Sequence, residues 1–264
     1  MNYKENQVKK EIGAIITDFQ EASKNHESAI AVVYENFKKD YETGHFTDKY
    51  VEERTHVATA KADESFAQAA SKLNTKLLKL IGDLRSDFIS SFNGTAPDPQ
   101  NLSNCLQFIR LEGEEIKDDR LHSIICDCGC NNHMDTLRLL RRTVELQRRD
   151  KTMEYSNASE VLPLSFGQYN HFQQVLSAFD DALEIAKDLF LRKKVRSNTK
   201  IIAYDIQRNG FIGEYHDREV MIPKHTFYVP MLSYLELMGE NSLMELADRL
   251  DKMIATYIAE VKGE

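Results

Sequence analysis

Three cysteines and a histidine lie close together in the middle of the chain. They offer three thiols and one imidazole: Cys126, Cys128, Cys130 and His133. These groups could complete a tetrahedral ligand set for zinc, which prefers sulfur and nitrogen ligands. Their spacing differs from that of zinc fingers and ribbons, because one residue and not two separates each pair of cysteines. Cys105 and His122 could join such a site only through the fold. Zinc is therefore a hypothesis for this segment, and we expect no other cofactor.

The same segment allows two other interpretations. Neighbouring thiols can exchange disulfides, so the cysteines could respond to the redox state of their surroundings. In the structural alternative, Cys126 ends one helix and residues 128–132 form the turn to the next helix. Gly129 and Asn131 are residue types that such a turn accepts readily.

A second cluster of chemically capable residues is basic. Five arginines follow along the next predicted helix and at its end: Arg138, Arg141, Arg142, Arg148 and Arg149. Such a patch could bind phosphate or an acidic partner, or it could be the solvated face opposite the apolar residues Leu137, Leu140, Val144 and Leu146. The formal net charge of −8 opposes a surface that coats nucleic acid, since phosphate binding needs a basic footprint. We therefore do not expect nucleic acid as the partner.

Polar residues that could bind a metal or transfer protons occur once more, late in the chain: His216, Asp217, Glu219 and His225. Residues 216–219 would alternate across a strand, so they would not all face one site. The sequence also lacks a phosphate-binding P-loop, a G-x-G-x-x-G motif, a G-x-S-x-G elbow and an H-E-x-x-H motif. We predict that the protein is not an enzyme.

Two long helices are predicted at the N-terminus. The first 96 residues contain no proline, and their apolar residues recur at intervals of three and four. The residues that we expect to form an interaction seam are Val8, Ile12, Ile15, Phe19, Phe66, Leu73, Leu77, Leu80 and Leu84. Their near-heptad spacing predicts an antiparallel, coiled-coil-like hairpin over residues 1–92 that reverses near Gly44 and His45. Two helices of an ordinary bundle are the alternative.

The rest of the chain is predicted to be an α-rich body, so the fold class is mainly α. Residues 93–100, with two prolines and an Asn-Gly step, read as a linker between the hairpin and this body, residues 101–264. Capping-box patterns at Ser165 and Ser242 predict the starts of two further helices, with Gly239 ending a short helix before the second. Residues near 200–229 predict a small β-hairpin, because apolar runs flank an Asn-Gly turn.

Composition limits where the protein acts. No apolar run approaches the roughly 20 residues that span a bilayer, so we expect no membrane contact. The polar N-terminus offers no secretory signal, so we expect a cytoplasmic protein. In composition, the chain resembles scaffolding and other head- or tail-assembly proteins of bacteriophages, which are often acidic, helix-rich, poor in Trp and catalytically silent. That resemblance implies a phage structural protein, which would be virion-associated.

These observations favour a non-enzymatic helical protein that works in assembly through protein–protein contacts. Its partner would be another protein or a second copy of the chain, because a projecting apolar seam needs to be covered. The alternative is a regulatory module that binds a metal or senses redox state through Cys126, Cys128, Cys130 and His133.

Overall fold

The structure is a computed structural model. It describes residues 6–42, 48–113, 115–148, 162–191, 200–205, 210–215, 226–229 and 234–262. This part of the chain is mainly helical, which confirms the predicted class of fold. None of the helices described is both long and apolar enough to cross a membrane.

The described residues contain helices of very different lengths. In chain order they are α1 (Gln7–Glu42), α2 (Asp48–Phe92), α3 (Pro99–Glu112), α4 (Asp118–Asp127), α5 (Met134–Arg148), α6 (Pro163–Ala186) and α7 (Tyr234–Lys262). Both α1 and α2 lie within residues 1–92, where two long helices are predicted. Residues 43–47, where the chain is predicted to reverse, lie outside the described residues.

Three short strands are also described: β1 (Lys200–Asp205), β2 (Gly210–Tyr215) and β3 (Thr226–Val229). β1 is the central strand and pairs antiparallel with both neighbours. Its pairing with β2 is irregular between Ala203 and Tyr204. The connecting residues 206–209 and 216–225 lie outside the described part, so the β-hairpin as a connected element stays a prediction.

The chain forms two compact units. The first consists of Met1–Val8, Ile81–Asp181 and Asp248–Glu264, and the second consists of Lys9–Leu80 and Ala182–Ala247. The non-helical segment 93–98 belongs to the first unit. The predicted division into residues 1–92, 93–100 and 101–264 stays a prediction.

An aromatic cluster forms the core of the first unit. The Phe88 ring stacks on Phe172, with ring centroids 5.2 Å apart, and meets Tyr257 edge-on at 5.5 Å. Phe92 also meets Tyr257 edge-on, at 5.2 Å. Phe88 and Phe92 are four residues apart on α2, so both rings lie on the same face of that helix.

The core of the second unit mixes aromatic and polar side chains. Phe19 of α1 stacks on Phe190 at 4.2 Å and lies 5.9 Å from Phe66 of α2. His26 stacks on the same Phe66 ring at 4.7 Å. Asn74 is buried in α2, where its amide donates to the Lys187 carbonyl and accepts from the Phe190 N–H. The asparagine thereby anchors the chain that follows α6.

The segment after α2 positions the start of α5. The Asn93 side chain accepts a hydrogen bond from the Met134 N–H at 3.0 Å, which satisfies one of the free donors of the first turn. The next residue, Gly94, donates its N–H to the Asn132 carbonyl at 2.9 Å. A Cβ at position 94 would lie 2.3 Å from that oxygen, so this approach requires glycine.

Two helix starts differ from the prediction. α6 begins at Pro163 rather than at Ser165, and Asp118 accepts the N–H groups of Leu164 and Ser165 as well as the Ser165 hydroxyl. A carboxylate from another helix therefore replaces the predicted capping box. α7 continues through Gly239 without ending there. A Cβ at Gly239 would lie 2.8 Å from the terminal carbon of the Leu189 side chain, so a larger residue here requires that flexible side chain to shift.

Candidate functional site

The cysteine-rich segment forms the turn between α4 and α5. The Cys130 N–H bonds to the Ile125 carbonyl and the Gly129 N–H bonds to the Cys126 carbonyl, both at 2.9 Å. Gly129 has a φ of 64°, the left-handed conformation that completes a Schellman motif. A residue just beyond such a motif commonly packs against the helix that it ends, and Cys130 is fully buried. The backbone therefore explains the close spacing of these cysteines.

Cys105 joins two of these thiols through the fold. It lies buried on α3, within hydrogen-bonding reach of the Cys128 and Cys130 thiols. Burial raises the pKa of the Cys105 and Cys130 thiols, because a thiolate loses solvation in an apolar environment. Protonated thiols such as these two are poor nucleophiles and metal ligands, and Cys128 is buried beside them, so the three pack as small apolar side chains.

Cys126 faces away from this trio. It is half-buried, and its Sγ lies 3.6 Å from Nε2 of His122, one turn earlier on α4. Burial raises its pKa, and the neighbouring Asp127 carboxylate raises it further. The geometry resembles a cysteine–histidine pair, but the electrostatics oppose formation of the reactive thiolate.

His133 caps the start of α5. Its Nδ1 accepts the Thr136 N–H at 3.3 Å and lies 2.8 Å from the Thr136 hydroxyl. An acceptor in this position satisfies a backbone donor that the first helical turn leaves free. The imidazole is therefore oriented by a structural contact.

The four predicted zinc ligands are not brought together as a set. Cys128 and Cys130 face Cys105, whereas Cys126 faces His122 and His133 bonds to α5. Within the ranges that the structure describes, no group of three or more His, Cys, Asp or Glu side chains is placed to hold a metal ion. The zinc hypothesis stays a prediction without support from this geometry.

The basic patch lies beside a cleft of about 280 Å³. It is lined by three arginines and three other side chains: Arg138, Arg141, Arg142, Glu145, Leu146 and Tyr169. Arg141 is fixed most firmly, because it donates to Glu145 at 2.9 Å and to Asn170 at 3.0 Å. Its guanidinium also lies over the Tyr169 ring, 5.8 Å from the centroid. Three contacts thus hold one cation at the wall of the cleft.

The other predicted arginines differ in their surroundings. Arg138 lies 3.6 Å from Asp135 in an exposed ion pair, and Arg142 is exposed. Arg148 ends α5, and Arg149 lies outside the described residues. The candidate site at His216, Asp217, Glu219 and His225 lies outside them as well.

Most of the predicted interaction seam is buried within the chain. The buried members are Val8, Ile12, Ile15, Phe19, Leu77 and Leu84, while Phe66, Leu73 and Leu80 are half-buried. The buried members therefore pack within the chain, and their role in an interaction seam stays a prediction. Among the side chains of α1 and α2 that the structure describes, the large apolar ones that remain exposed are Val32, Tyr50 and Val57.

Comparison with protein-family models, with curated proteins and with solved structures found no match to this chain.

Tyr169 was missed in the sequence, and Cys105 was named there only as a residue that the fold could bring to the cluster, although each carried a signal. Cys105 precedes Ile109 by four residues on α3, and both are buried, so helical periodicity alone places the cysteine in the core. Tyr169 lies midway between Phe166 and Phe172, on the apolar face of α6, and all three are buried. Its position beside the arginines depends on the packing of α5 and α6, which periodicity does not reveal.

Proposed function

We propose that this protein is a non-enzymatic helical interaction protein that assembles through α1 and α2. In this proposal the two helices form a coiled-coil-like antiparallel hairpin whose outer surface binds a second copy of the chain. The observation that carries the proposal is the exposure of large apolar side chains on these helices. Val32 is 56% exposed, and Val57 is 68% exposed.

In an antiparallel pairing of α1 and α2, the exposed apolar residues would fall close together. His26 of α1 contacts Asp63 of α2 at 2.7 Å. Val32 follows His26 by as many residues as Val57 precedes Asp63, so both valines would lie at the same level of the pair. Tyr50, 40% exposed, precedes Val57 by two helical turns and shares its face. Single exposed apolar residues are common on protein surfaces, but a group of them is typical of an interface.

Polar contacts along the pair favour one fixed alignment of α1 and α2. Lys76 lies 3.4 Å from Asp18, and the His26–Asp63 contact follows two turns along α1. A polar residue at a single seam position of a coiled coil specifies register at some cost in stability. A fixed register would keep the outer valines in a constant arrangement, as a self-complementary interface requires.

The proposal is tested by light scattering after size exclusion, with metal analysis of the same peak. We expect a metal-free oligomer for the native chain. The double variant Val32→Asp, Val57→Asp should elute as a monomer with unchanged helicity, because both sites are exposed and a charge there opposes burial in an interface.

Ala14 and Ala67 provide the matched control, because both are exposed on the same two helices. The double variant Ala14→Asp, Ala67→Asp should keep the native mass. A native chain that is monomeric at every concentration would contradict the proposal. A monomer carrying one equivalent of zinc would favour the regulatory alternative instead.

A further inference from the structure

We propose that the cleft beside α5 binds the phosphate group of a small phosphate ester. Arg138, Arg141 and Arg142 would hold the phosphate, while Leu146 and Tyr169 would contact the apolar part of the ligand. This site is separate from the α1–α2 surface, so the two proposals can fail independently.

Helical spacing directs the three guanidinium groups towards one space. Arg138 precedes Arg141 and Arg142 by three and four residues, so all three lie on one side of α5. All three line the same cleft of about 280 Å³. Phosphate offers several acceptor oxygens at once, and arginine's planar fork matches that geometry better than a point charge does.

Arg141 is prepared for binding before any ligand arrives. Its contacts with Glu145, Asn170 and the Tyr169 ring fix the guanidinium in a half-buried position. An arginine carries more N–H donors than the two hydrogen bonds use. A cation held in place loses little conformational entropy on binding, which favours affinity.

The cleft keeps a net positive charge after its arginines are paired with nearby carboxylates. Glu145 offsets Arg141 at 2.9 Å, and Asp135 partly offsets Arg138 at 3.6 Å across an exposed pair. Among the described residues, none pairs with Arg142, so its charge is available to an anion. The patch is thus locally basic on a chain whose formal net charge is −8.

The cleft also has an apolar side. Leu146 is 52% exposed, one turn beyond Arg142, and the buried Tyr169 ring faces Arg141. Burial raises the pKa of the Tyr169 hydroxyl although the nearby arginines oppose that shift, so it stays a neutral donor at neutral pH. A phosphate ester with a small ring matches this combination better than inorganic phosphate, because an apolar surface meets its ring.

Calorimetric titration with phenyl phosphate tests the proposal. We expect one phenyl phosphate per chain, weaker binding of inorganic phosphate, and no binding of phenol. Arg142→Gln should weaken phenyl phosphate binding about tenfold or more, because a hydrogen bond to a charged group is lost. Leu146→Ala should weaken phenyl phosphate but not inorganic phosphate.

Arg110→Gln is the matched control, since Arg110 is an exposed arginine on α3 outside the cleft. It should bind phenyl phosphate like the native chain. The proposal is overturned if phenyl phosphate does not bind, or if Arg110→Gln and Arg142→Gln weaken it equally. Tight binding of a single-stranded oligonucleotide without binding of phenyl phosphate would also overturn it, since the patch would then recognise a polymer.

Discussion

The two units use their buried polar side chains differently. In the first unit, Thr136, Ser165 and Asp251 are buried near the starts of helices, and Asp251 accepts the Val8 N–H at the beginning of α1. In the second unit, His26 and Asn74 are buried in the middle of α1 and α2. Asp251 thereby satisfies a backbone donor that would otherwise be free, while the Thr136 and Ser165 hydroxyls bond to His133 and Asp118 at the starts of α5 and α6.

Polar groups in the middle of a helical seam have another consequence. They must find a partner on a neighbouring segment, and they favour the one alignment in which that partner is present. The second unit therefore gains a defined alignment, and its helices leave Val32 and Val57 exposed. If α1 and α2 bind a second copy of the chain as proposed, the partner contact belongs to the second unit.

The largest effect should follow truncation of the aromatic core of the first unit. Phe88→Ala removes contacts with Phe172 and Tyr257 and should lower the free energy of unfolding by about 3–5 kcal/mol. Urea denaturation followed by circular dichroism measures this change. Phe108→Ala is the control, because Phe108 is half-exposed and its loss should change stability little. Equal effects of the two variants would contradict the assigned core.

A smaller loss should follow removal of the buried amide in the second unit. Asn74→Ala leaves the Phe190 N–H and the Lys187 carbonyl without this partner, at a cost of about 1–3 kcal/mol. Asn25→Ala, at an exposed position of α1, should change the urea midpoint little. If Asn74→Ala were neutral, the polar groups of the second unit would not be needed for its alignment, and the comparison would fail.

The sequence predicted the helices better than the contacts between them. The seam residues Ile12 and Leu77 are buried as their periodicity indicated. That pattern did not reveal that Phe19 stacks on Phe190, because a residue far along the chain supplies the contact. Apolar spacing identifies the buried face of a helix but does not identify what covers it.

The cysteine segment shows a related limit. The spacing of Cys126, Cys128 and Cys130 suggested metal chemistry, and the alternative of a turn was equally visible in Gly129. In the structure, Cys128 and Cys130 pack against Cys105 in the core. Where a thiol lies depends on tertiary packing, so sequence spacing alone could not separate the two interpretations.

A third effect depends on pH and concerns Tyr257, a polar group within the aromatic cluster of the first unit. Burial raises the pKa of its hydroxyl from about 10 to about 12. Because the pKa is higher in the folded state, the protonated hydroxyl stabilises the fold relative to the ionised one. This contribution to the free energy of unfolding is complete below about pH 10 and is lost as the pH rises towards about 12. Tyr257→Phe should therefore show a smaller fall in urea midpoint than the native chain between about pH 9 and about pH 11. Identical falls in both proteins would show that this hydroxyl does not titrate with unfolding.

The smallest effect on stability is expected for the cysteines of the first unit. Their reactivity tests which of their thiols are buried. If three of the thiols are buried in the core, a chromogenic aryl disulfide should react first with the half-buried Cys126. Cys105, Cys128 and Cys130 are buried and should react only as the chain unfolds. Because burial and Asp127 raise the Cys126 pKa, its rate should rise at higher pH than in the urea-unfolded chain.

Two variants decide whether this assignment holds. Cys126→Ser should remove the fast reaction with little change in the urea midpoint, since the side chain is not part of the buried trio. Asp127→Asn should shift the pH dependence of the rate back towards that of the unfolded chain, because it removes the second cause of the raised pKa. A fast reaction that survives Cys126→Ser would mean that one of the core thiols is accessible. Slowing of that remaining reaction by one equivalent of zinc would reopen the metal hypothesis, because ligation requires the same thiolates that attack the reagent.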